Sequence, residues 1–539
     1  MMPTRARAKE FRETTMIDLR RIVVALLVVV LAATAFAQDQ PRRGGDRPNR
    51  QEQGQQQQGQ QGGAERDRGG PGVLSLLPGD ATSDNAIDTP SGKLAYSATA
   101  GTFSLFDQSG ERSAAVFYTA YVAKTDKPAA SRPLTFVFNG GPGAASAFLH
   151  LGLVGPRIAT FGMAGRDPTD VRLTDNPETW LAFTDLVLID PIGTGWSRPA
   201  KPDGGSAFWG VRSDAESMAK VIALYVSRNG RVSSPKFILG ESYGGFRAAK
   251  VARAVQEQQG IIISGIVISG ILMLSPMLEG AFQFGGDRFA LGAALQLPSL
   301  AAAEMERKGT FSKDALAQAE RFALTDYLST LAGRPPQGDA AKSFYARVAA
   351  LTGLPADVVA RSRGFIRDEF IKNLRSGDHK IVSRYDATFA TDDPYPESPS
   401  AGGPDPILDG VTRAYGSAFV AYARDELGFK TDITYNLLES DINHKWKWRE
   451  GSSRGQPSVA DDLRELLALT PSFHLMIAHG YSDMVTPYAV TRYVLDHLPP
   501  VDGEERTQLR LYRGGHMFYL DPASRKSFTA DARTMYAAP

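Results

Sequence analysis

The segment Gly240-Glu241-Ser242-Tyr243-Gly244-Gly245 follows the short apolar run Phe237-Ile238-Leu239 and leads into a stretch of helical character. A serine with a glycine two positions away on each side, between a buried strand and a helix, predicts a sharp turn that lifts the hydroxyl out of the backbone. The N-terminus of the helix also favours negative charge that develops nearby. Ser242 is therefore the predicted nucleophile, and a helix-capping serine is the alternative.

Short apolar runs on either side of this turn predict the sheet that carries it. The runs 134–138, 186–189 and 237–239 do not alternate with polar residues, as expected of strands that are covered on both faces. Helical segments separate these runs, and a strand–helix–strand rhythm indicates a parallel sheet of the α/β class. Between residues 75 and 135, alternating β-type segments with polar turns predict antiparallel strands that precede the parallel ones.

The strand rhythm stops after Pro276 and resumes near Phe473. The residues between are mostly amphipathic helix, which predicts a cap over the carboxyl edge of the sheet, where open α/β sheets bind ligands. We expect a first core segment at 73–276, a helical cap at 277–470 and a second core segment at 471–539. The whole pattern predicts an α/β-hydrolase fold with a central, mostly parallel sheet, N-terminal antiparallel strands and a helical cap insertion.

Residues 1–37 have the order of a secretory signal. Arg20 and Arg21 precede an apolar run over 22–33, and Ala35-Phe36-Ala37 supplies a small-x-small cleavage site. The apolar run is shorter than the roughly 20 residues that cross a bilayer, so a cleaved signal is predicted rather than a membrane anchor. Cleavage after Ala37 would leave no integral membrane span.

The segment that follows the predicted signal has a different composition. Residues 38–72 consist mainly of Gln, Gly, Arg, Asp and Pro, which cannot bury enough apolar surface to offset ordering, so a disordered linker is predicted. Met16 is a candidate start, because it would give a signal of ordinary length. We therefore expect an exported protein, periplasmic or secreted.

The composition excludes several classes of function. The 60 basic and 59 acidic side chains give a net charge of +1, which provides no electrostatic basis for binding nucleic acid. The absence of cysteine excludes disulfides, thiolate metal sites and a cysteine nucleophile. The seven histidines show no compact ligand spacing, so neither a metal site nor a cofactor is predicted.

A serine nucleophile needs a histidine base that is oriented by a carboxylate, and in α/β hydrolases the chain order is Ser, acid, His. His516 follows a late strand-like run and is the predicted base. Asp483 follows the preceding strand and is the predicted acid, with Asp496 and Asp502 as the alternatives. His479 precedes the acid in the chain, so a structural role is predicted for it.

A glycine-rich loop follows the first long apolar run. The loop Asn139-Gly140-Gly141-Pro142-Gly143 lacks the lysine of a phosphate-binding loop, so a nucleotide site is not indicated. In α/β hydrolases the loop at this position supplies a backbone N–H to the oxyanion hole, and glycine allows that N–H to approach the substrate.

Together these segments resemble the serine carboxypeptidase family, of which the chain would be a divergent, bacterial-type member. The matching segments are Asn139-Gly140-Gly141-Pro142-Gly143, Asp190-Pro191-Ile192-Gly193-Thr194-Gly195-Trp196-Ser197, Gly240-Glu241-Ser242-Tyr243-Gly244-Gly245, Asp483 and Gly515-His516-Met517. They occur in the family's order between residues 75 and 539, outside the predicted cap. The resemblance implies a catalytic triad of Ser242, Asp483 and His516.

The resemblance also assigns the remaining site residues. It implies that the backbone N–H groups of Gly141 and Tyr243 form the oxyanion hole. It further implies that Asn139 and Glu241 bind the C-terminal carboxylate of a peptide substrate. Glu241 would be protonated in that role, which favours acidic pH because an ionised glutamate repels the substrate carboxylate.

The chain departs from the family pattern near the site. Leu153 stands where family members carry a second glutamate, two residues before a Gly-Pro pair. Val137 replaces a tryptophan, and Ala144 and Thr486 replace cysteines. The missing glutamate weakens half of the implied carboxylate-binding arrangement, whereas the loss of the two cysteines leaves the mechanism untouched.

The sequence thus predicts a serine-type carboxypeptidase that removes C-terminal residues from peptides through an acyl-enzyme on Ser242, without metal or cofactor. An esterase or acyltransferase with the same triad is an alternative, which Leu153 and the divergent cap favour. A non-catalytic binding protein on the same fold is a third possibility, and the intact triad argues against it.

Overall fold

The computed structural model describes residues 72–126, 128–162, 167–257, 266–285, 288–449, 455–500 and 506–537. The predicted signal at 1–37 and residues 38–71 of the predicted linker lie outside these ranges. Among the residues inside them, no helix combines the length and the apolar character that crossing a membrane requires.

A ten-stranded sheet organises the described part of the chain. The strands of the described residues are β1 (Ala81–Thr89), β2 (Gly92–Phe106), β3 (Arg112–Ala123), β4 (Leu134–Phe138), β5 (Arg157–Phe161), β6 (Asp167–Asp175), β7 (Asp185–Ile189), β8 (Arg198–Pro199), β9 (Lys236–Glu241), β10 (Gly270–Leu274), β11 (Lys380–Val382), β12 (Ala390–Asp392), β13 (His474–Gly480) and β14 (Thr507–Tyr512). Neighbouring strands in the large sheet follow the order β1-β2-β3-β7-β4-β9-β10-β13-β14, with β8 paired to β3, while β5-β6 and β11-β12 form separate two-stranded sheets.

Helices connect and cover these strands. The α-helices are Ala147–Leu149, Val211–Arg228, Tyr243–Glu257, Gly280–Gln283, Ala290–Lys308, Lys313–Phe322, Leu328–Ala332, Gly338–Thr352, Ala356–Arg361, Arg367–Asn373, Leu408–Asp425, Ser440–Lys445, Ala460–Leu469, Tyr488–Asp496 and Pro522–Ala537. A wider π-helical turn, His150–Val154, continues the first of them.

The predicted α/β-hydrolase architecture is confirmed. Strands β1, β2 and β3 are antiparallel, and β7, β4, β9, β10, β13 and β14 run parallel to one another. Every residue of β4, β7, β9 and β10 is buried. In β9, Phe237 and Leu239 enter the core on one face of the sheet and Ile238 enters the core on the other, which explains why this run does not alternate with polar residues.

The inserted segment between β10 and β13 has two parts. Its helices from Ala290–Lys308 to Arg367–Asn373 share an apolar core of their own. The helix Leu408–Asp425, in contrast, packs on one face of the main sheet, and Ala460–Leu469 packs on the opposite face. The residues predicted as a cap at 277–470 therefore also supply two helices whose apolar stripes are buried in the cores on the two faces of the main sheet.

A buried ion network fixes the start of β7. Asp185 is fully buried, and its carboxylate accepts hydrogen bonds from Arg132 Nε at 3.0 Å and from Arg231 Nη1 at 2.8 Å. The backbone N–H of Ala123 donates to the same carboxylate at 3.1 Å. Asp185 thus joins β3, β7 and the turn before β9, and its removal would leave two buried guanidinium groups without their counter-charge.

Replacing Asp185 with Ala should therefore lower the free energy of unfolding by about 3–5 kcal/mol. Urea unfolding followed by circular dichroism measures the change. Asp339→Ala is the control, because Asp339 forms an ion pair with Lys342 in which both side chains are exposed, and it should change the unfolding free energy far less. Equal effects of the two substitutions would contradict a structural role for the buried network.

Candidate active site

Ser242 lies in the turn between β9 and the helix Tyr243–Glu257. Its φ of 60° is in the left-handed region, which a residue with a side chain rarely adopts. The surrounding backbone holds this conformation: Ser242 N donates to Leu274 O at 2.9 Å, and Gly245 N donates to Ser242 O at 3.0 Å. The Ser242 side chain lines a pocket whose wall is largely apolar.

The flanking glycines are required by close backbone approach. A Cβ atom on Gly240 would overlap the backbone of Gly244. A Cβ atom on Gly244 would lie 2.5 Å from Phe138 O on the neighbouring strand β4. The turn can therefore close only without a side chain at 240 and fits against β4 only without one at 244, as the sequence pattern predicts.

Asp483 and His516 meet at the ends of adjacent strands. Asp483 follows β13 and His516 follows β14, which pair in parallel from Leu475↔Thr507 to Gly480↔Tyr512. His516 Nδ1 lies 2.9 Å from Asp483 Oδ2, and both side chains are buried. Of the alternative acids, Asp496 is exposed at the end of a helix, and Asp502 lies outside the described residues.

Backbone and side-chain donors orient the Asp483 carboxylate. Val485 N and Thr486 N donate to Oδ1 at 2.8 and 3.0 Å. The Thr486 hydroxyl lies 2.8 Å from Asp483 Oδ2 and 3.1 Å from His516 Nδ1. Thr486, which stands where the family has a cysteine, thus contacts both members of the pair.

The contact between Asp483 and His516 opposes the effect of burial on the pKa of each side chain. Burial alone would lower the pKa of His516, but the charge of Asp483 and its hydrogen bond raise this pKa above the ordinary value. Burial alone would raise the pKa of Asp483, and the charge of His516 and its hydrogen bond lower it below the ordinary value. An imidazole with a raised pKa beside an ionised carboxylate is suited to accept a proton from a nearby hydroxyl.

Ser242 and His516 line one pocket of about 400 Å³. Asn139, Gly141, Glu241 and Tyr243 line the same pocket, so it brings together every predicted site residue except Asp483, which lies behind His516. Aromatic and aliphatic side chains form much of the remaining wall, among them Phe148, Met277, Phe284, Tyr385, Leu408, Leu438, Trp448 and Met517.

The glycine-rich loop after β4 packs directly on the serine turn. A Cβ atom on Gly140 would lie 2.6 Å from both Glu241 O and Tyr243 N, so the two backbones touch. The far side of the loop is held by a segment from the insertion: Ala145 N donates to Leu437 O and Glu439 N donates to Gly143 O, each at 2.8 Å. No motif in the sequence indicates this contribution of residues 437–439.

The segment Asp190–Ser197 hydrogen-bonds to neighbouring parts of the backbone instead of lining the pocket. Asp190 is buried and accepts a hydrogen bond from Ser146 N at 2.8 Å. Ser197 Oγ donates to Asp190 O at 2.6 Å and accepts from Phe117 N at 2.8 Å. Burial raises the pKa of Asp190 to about 7, and neither it nor Ser197 lines the pocket.

Glu241 is a buried carboxyl that receives hydrogen bonds from two donors. Asn139 Nδ2 donates to Glu241 Oε2, and the Tyr519 hydroxyl lies 3.0 Å from Oε1 and 3.1 Å from Oε2. Burial raises the pKa of Glu241 to about 7, although His516 and the two donors act in the opposite direction. The carboxyl can therefore be neutral under mildly acidic conditions and donate a hydrogen bond to an anion in the pocket.

His479 lies away from the pocket. Its imidazole is fully buried, and its Nε2 lies 2.8 Å from Thr491 Oγ1. Burial lowers the pKa of His479 to about 4, so it is neutral near physiological pH.

Comparisons with known proteins agree with this geometry. A serine carboxypeptidase family model matches residues 97–512. Serine carboxypeptidase-like 51 from Arabidopsis thaliana is 32% identical over 137 residues, covering 24% of this chain and 27% of that protein. Serine carboxypeptidase-like 36 from the same plant is 26% identical over 216 residues, covering 39% of each protein. The chain thus spans only about a quarter to two fifths of the length of these relatives.

A solved structure shows the same fold. The crystal structure of Kex1(delta)p, a prohormone-processing carboxypeptidase from Saccharomyces cerevisiae, aligns with a TM-score of 0.52 and 16% identity, covering 86% of this chain and 94% of that one. The family model extends over well more than half of the sequence and includes both the serine turn and Asp483. On these grounds the chain belongs to the serine carboxypeptidase family.

Proposed function

We propose that this chain is a serine-type carboxypeptidase that removes C-terminal residues from peptides through an acyl-enzyme on Ser242. The observation that supports this most is the content of one pocket, which holds Ser242 and His516 next to Asn139 and Glu241. The first two groups are suited to acyl transfer. The other two are suited to hold the carboxylate that distinguishes the C-terminus of a peptide from its interior.

The acyl-transfer chemistry follows from the contacts of His516. In this proposal Ser242 Oγ attacks the carbonyl carbon of the last peptide bond while His516 Nε2 takes its proton. Asp483 accepts the hydrogen bond from His516 Nδ1 at 2.9 Å and stabilises the imidazolium that forms. His516 then gives the proton to the leaving amine, and a water molecule, activated in the same way, releases the acyl group.

Two backbone N–H groups are proposed to stabilise the developing oxyanion. Gly141 and Tyr243 both line the pocket, and the close contact between Gly140 and Tyr243 N joins their two loops. Because Tyr243 begins the helix that follows the nucleophile, its N–H points away from the helix body, where the helix dipole favours negative charge. Donors that are fixed before the reaction need no reorganisation when the charge forms.

Asn139 and Glu241 are proposed to bind the substrate carboxylate. Below its pKa of about 7 the Glu241 carboxyl is neutral and can donate to the anion. Above that pKa the ionised glutamate repels the anion. Binding of a free C-terminus is therefore lost as the pH rises through about 7, whereas a substrate without a terminal carboxylate is insensitive to this ionisation.

We also propose that the protein is exported to the bacterial periplasm or secreted, with residues 1–37 removed. The support is the order of basic residues, apolar run and Ala35-Phe36-Ala37 in the sequence.

A pair of matched substrates tests the proposed specificity. An N-blocked dipeptide with a free C-terminus should be cleaved with a kcat/KM about 10- to 100-fold higher at pH 5.5 than the same dipeptide amidated at its C-terminus, because hydrogen bonds to the charged carboxylate are lost in the amide. Release of the C-terminal residue or amide is measured by chromatography. Equal cleavage of both dipeptides would contradict recognition of the C-terminal carboxylate, and turnover of an aryl ester alone would favour the esterase alternative.

The pH dependence tests the role of Glu241. With the free dipeptide, kcat/KM should fall about tenfold per pH unit above roughly pH 7, because only the protonated glutamate binds the carboxylate. An aryl ester should show no such fall. Glu241→Gln, which stays neutral at every pH, should retain dipeptide cleavage at pH 8. A fall that persists unchanged in Glu241→Gln would show that another group causes it.

Sequencing of the mature N-terminus tests export. Protein recovered from the periplasm or medium of an expressing bacterium should begin at Gln38, directly after the predicted cleavage site. Ala37→Arg, which removes the small residue at that site, should block the cleavage. Recovery of the protein from the cytoplasm with residues 1–37 intact would contradict the proposal.

A further inference from the structure

Tyr519 contacts the carboxyl group proposed to bind the substrate, and no sequence pattern singled it out. It lies in a short 3-10 turn, Phe518–Leu520, that begins two residues after His516. Its side chain is fully buried, and its hydroxyl is within 3.1 Å of both Glu241 oxygens. Burial and the charge of Glu241 raise the pKa of Tyr519 well above its ordinary value, so the hydroxyl remains a donor at any pH of interest.

The turn that carries Leu153 leaves space for this tyrosine. Leu153, at the position of the family's second glutamate, is completely buried in the apolar core. The preceding residue is Gly152, and a Cβ atom on it would lie 2.8 Å from Tyr519 Cε2 and 2.9 Å from the Tyr415 hydroxyl. The ring of Tyr519 therefore fits beside this turn only because residue 152 has no side chain.

We propose that Tyr519 is a positioning residue that replaces the missing second glutamate by holding the Glu241 carboxyl and directing its proton to the substrate. This inference rests on the proposed carboxypeptidase function. Asn139 donates to Oε2, and the Tyr519 hydroxyl, 3.0 Å from Oε1 and 3.1 Å from Oε2, can donate to the same oxygen as Asn139. When the carboxyl is neutral, both donors occupy Oε2, and Oε1 carries the proton that is donated to the substrate carboxylate.

The Tyr519 hydrogen bond also affects the pH at which Glu241 ionises and no longer binds the substrate carboxylate. A donor stabilises the ionised carboxylate, so Tyr519 holds the pKa of Glu241 below the value that burial alone would produce. Loss of the hydroxyl should therefore raise this pKa and extend peptide cleavage to higher pH. The other titratable groups that face Glu241 remain in place: His516 and Asp483 from the loops after β14 and β13, Tyr385 from the insertion and Tyr415 from the helix Leu408–Asp425.

Tyr519→Phe tests the inference with the full-length enzyme and the free and amidated dipeptides described above. The alkaline limb of kcat/KM for the free dipeptide should move upward by about one pH unit, because the lost hydrogen bond had favoured the ionised carboxylate. At pH 5.5 the KM for this substrate should rise about fivefold with kcat unchanged, because the carboxyl loses one of its two fixed partners. Cleavage of the amidated dipeptide should not change.

Gly152→Ala provides a second variant. Its methyl group would displace the Tyr519 ring, although the tyrosine keeps its hydroxyl group. This variant should also move the alkaline limb of kcat/KM for the free dipeptide to higher pH. Tyr415→Phe is the matched control: its buried hydroxyl has no hydrogen-bond partner among the described residues, and the limb should stay at the wild-type pH. Labelling of Ser242 by a fluorophosphonate reports whether each variant is folded.

The outcomes separate this inference from the proposed function. If the wild type cleaves free and amidated dipeptides alike and shows no limb near pH 7, the proposed function fails and the role of Tyr519 falls with it. If the wild type shows the preference and the limb, but Tyr519→Phe leaves the limb in place or moves it downward, only the inference is overturned. The inference is also overturned if Tyr415→Phe moves the alkaline limb as far as Tyr519→Phe does.

Discussion

The strained turn at Ser242 is the constraint on which the rest of the site depends. A serine at φ 60° persists only because β4, β10 and the following helix fix its backbone from several sides. That packing requires glycine at 240 and 244, and it brings the loop of Asn139 into backbone contact with the turn. The same close approach that exposes the hydroxyl therefore also places Asn139 and Glu241, the proposed carboxylate-binding pair, and the proposed oxyanion donors around it.

Burial raises the pKa of both carboxyl groups in the site, yet the net shifts of the two pKa values are opposite. Asp483 lies against His516, whose positive charge and hydrogen bond outweigh the cost of burial, so its carboxylate is ionised. Glu241 contacts neutral donors instead, and burial dominates, so its pKa rises to about 7. One carboxyl group is thus suited to stabilise an imidazolium and the other to donate a proton, and the difference arises from their partners rather than from their exposure.

The sequence could predict the features that depend on local pattern. Unalternating runs identified β4, β7 and β9, and the glycine spacing around Ser242 identified its turn. Features that depend on distant contacts were not accessible. The helix Leu408–Asp425 shows the amphipathic pattern of a cap helix, and only the fold reveals that its apolar stripe joins the core on one face of the main sheet. In the sequence, Tyr519 likewise has the character of an ordinary core residue, and only the fold brings it into contact with Glu241 at the end of β9.

Covalent labelling of Ser242 by a fluorophosphonate tests the central claim, an activated serine at this turn, most directly. Mass spectrometry of wild-type protein should find one adduct, on the peptide that contains Ser242, and Ser242→Ala should give none. Asp483→Asn, which removes the carboxylate that orients His516, should slow the labelling by on the order of a thousandfold or more. A wild type that remains unlabelled, or an adduct on another serine, would contradict the account.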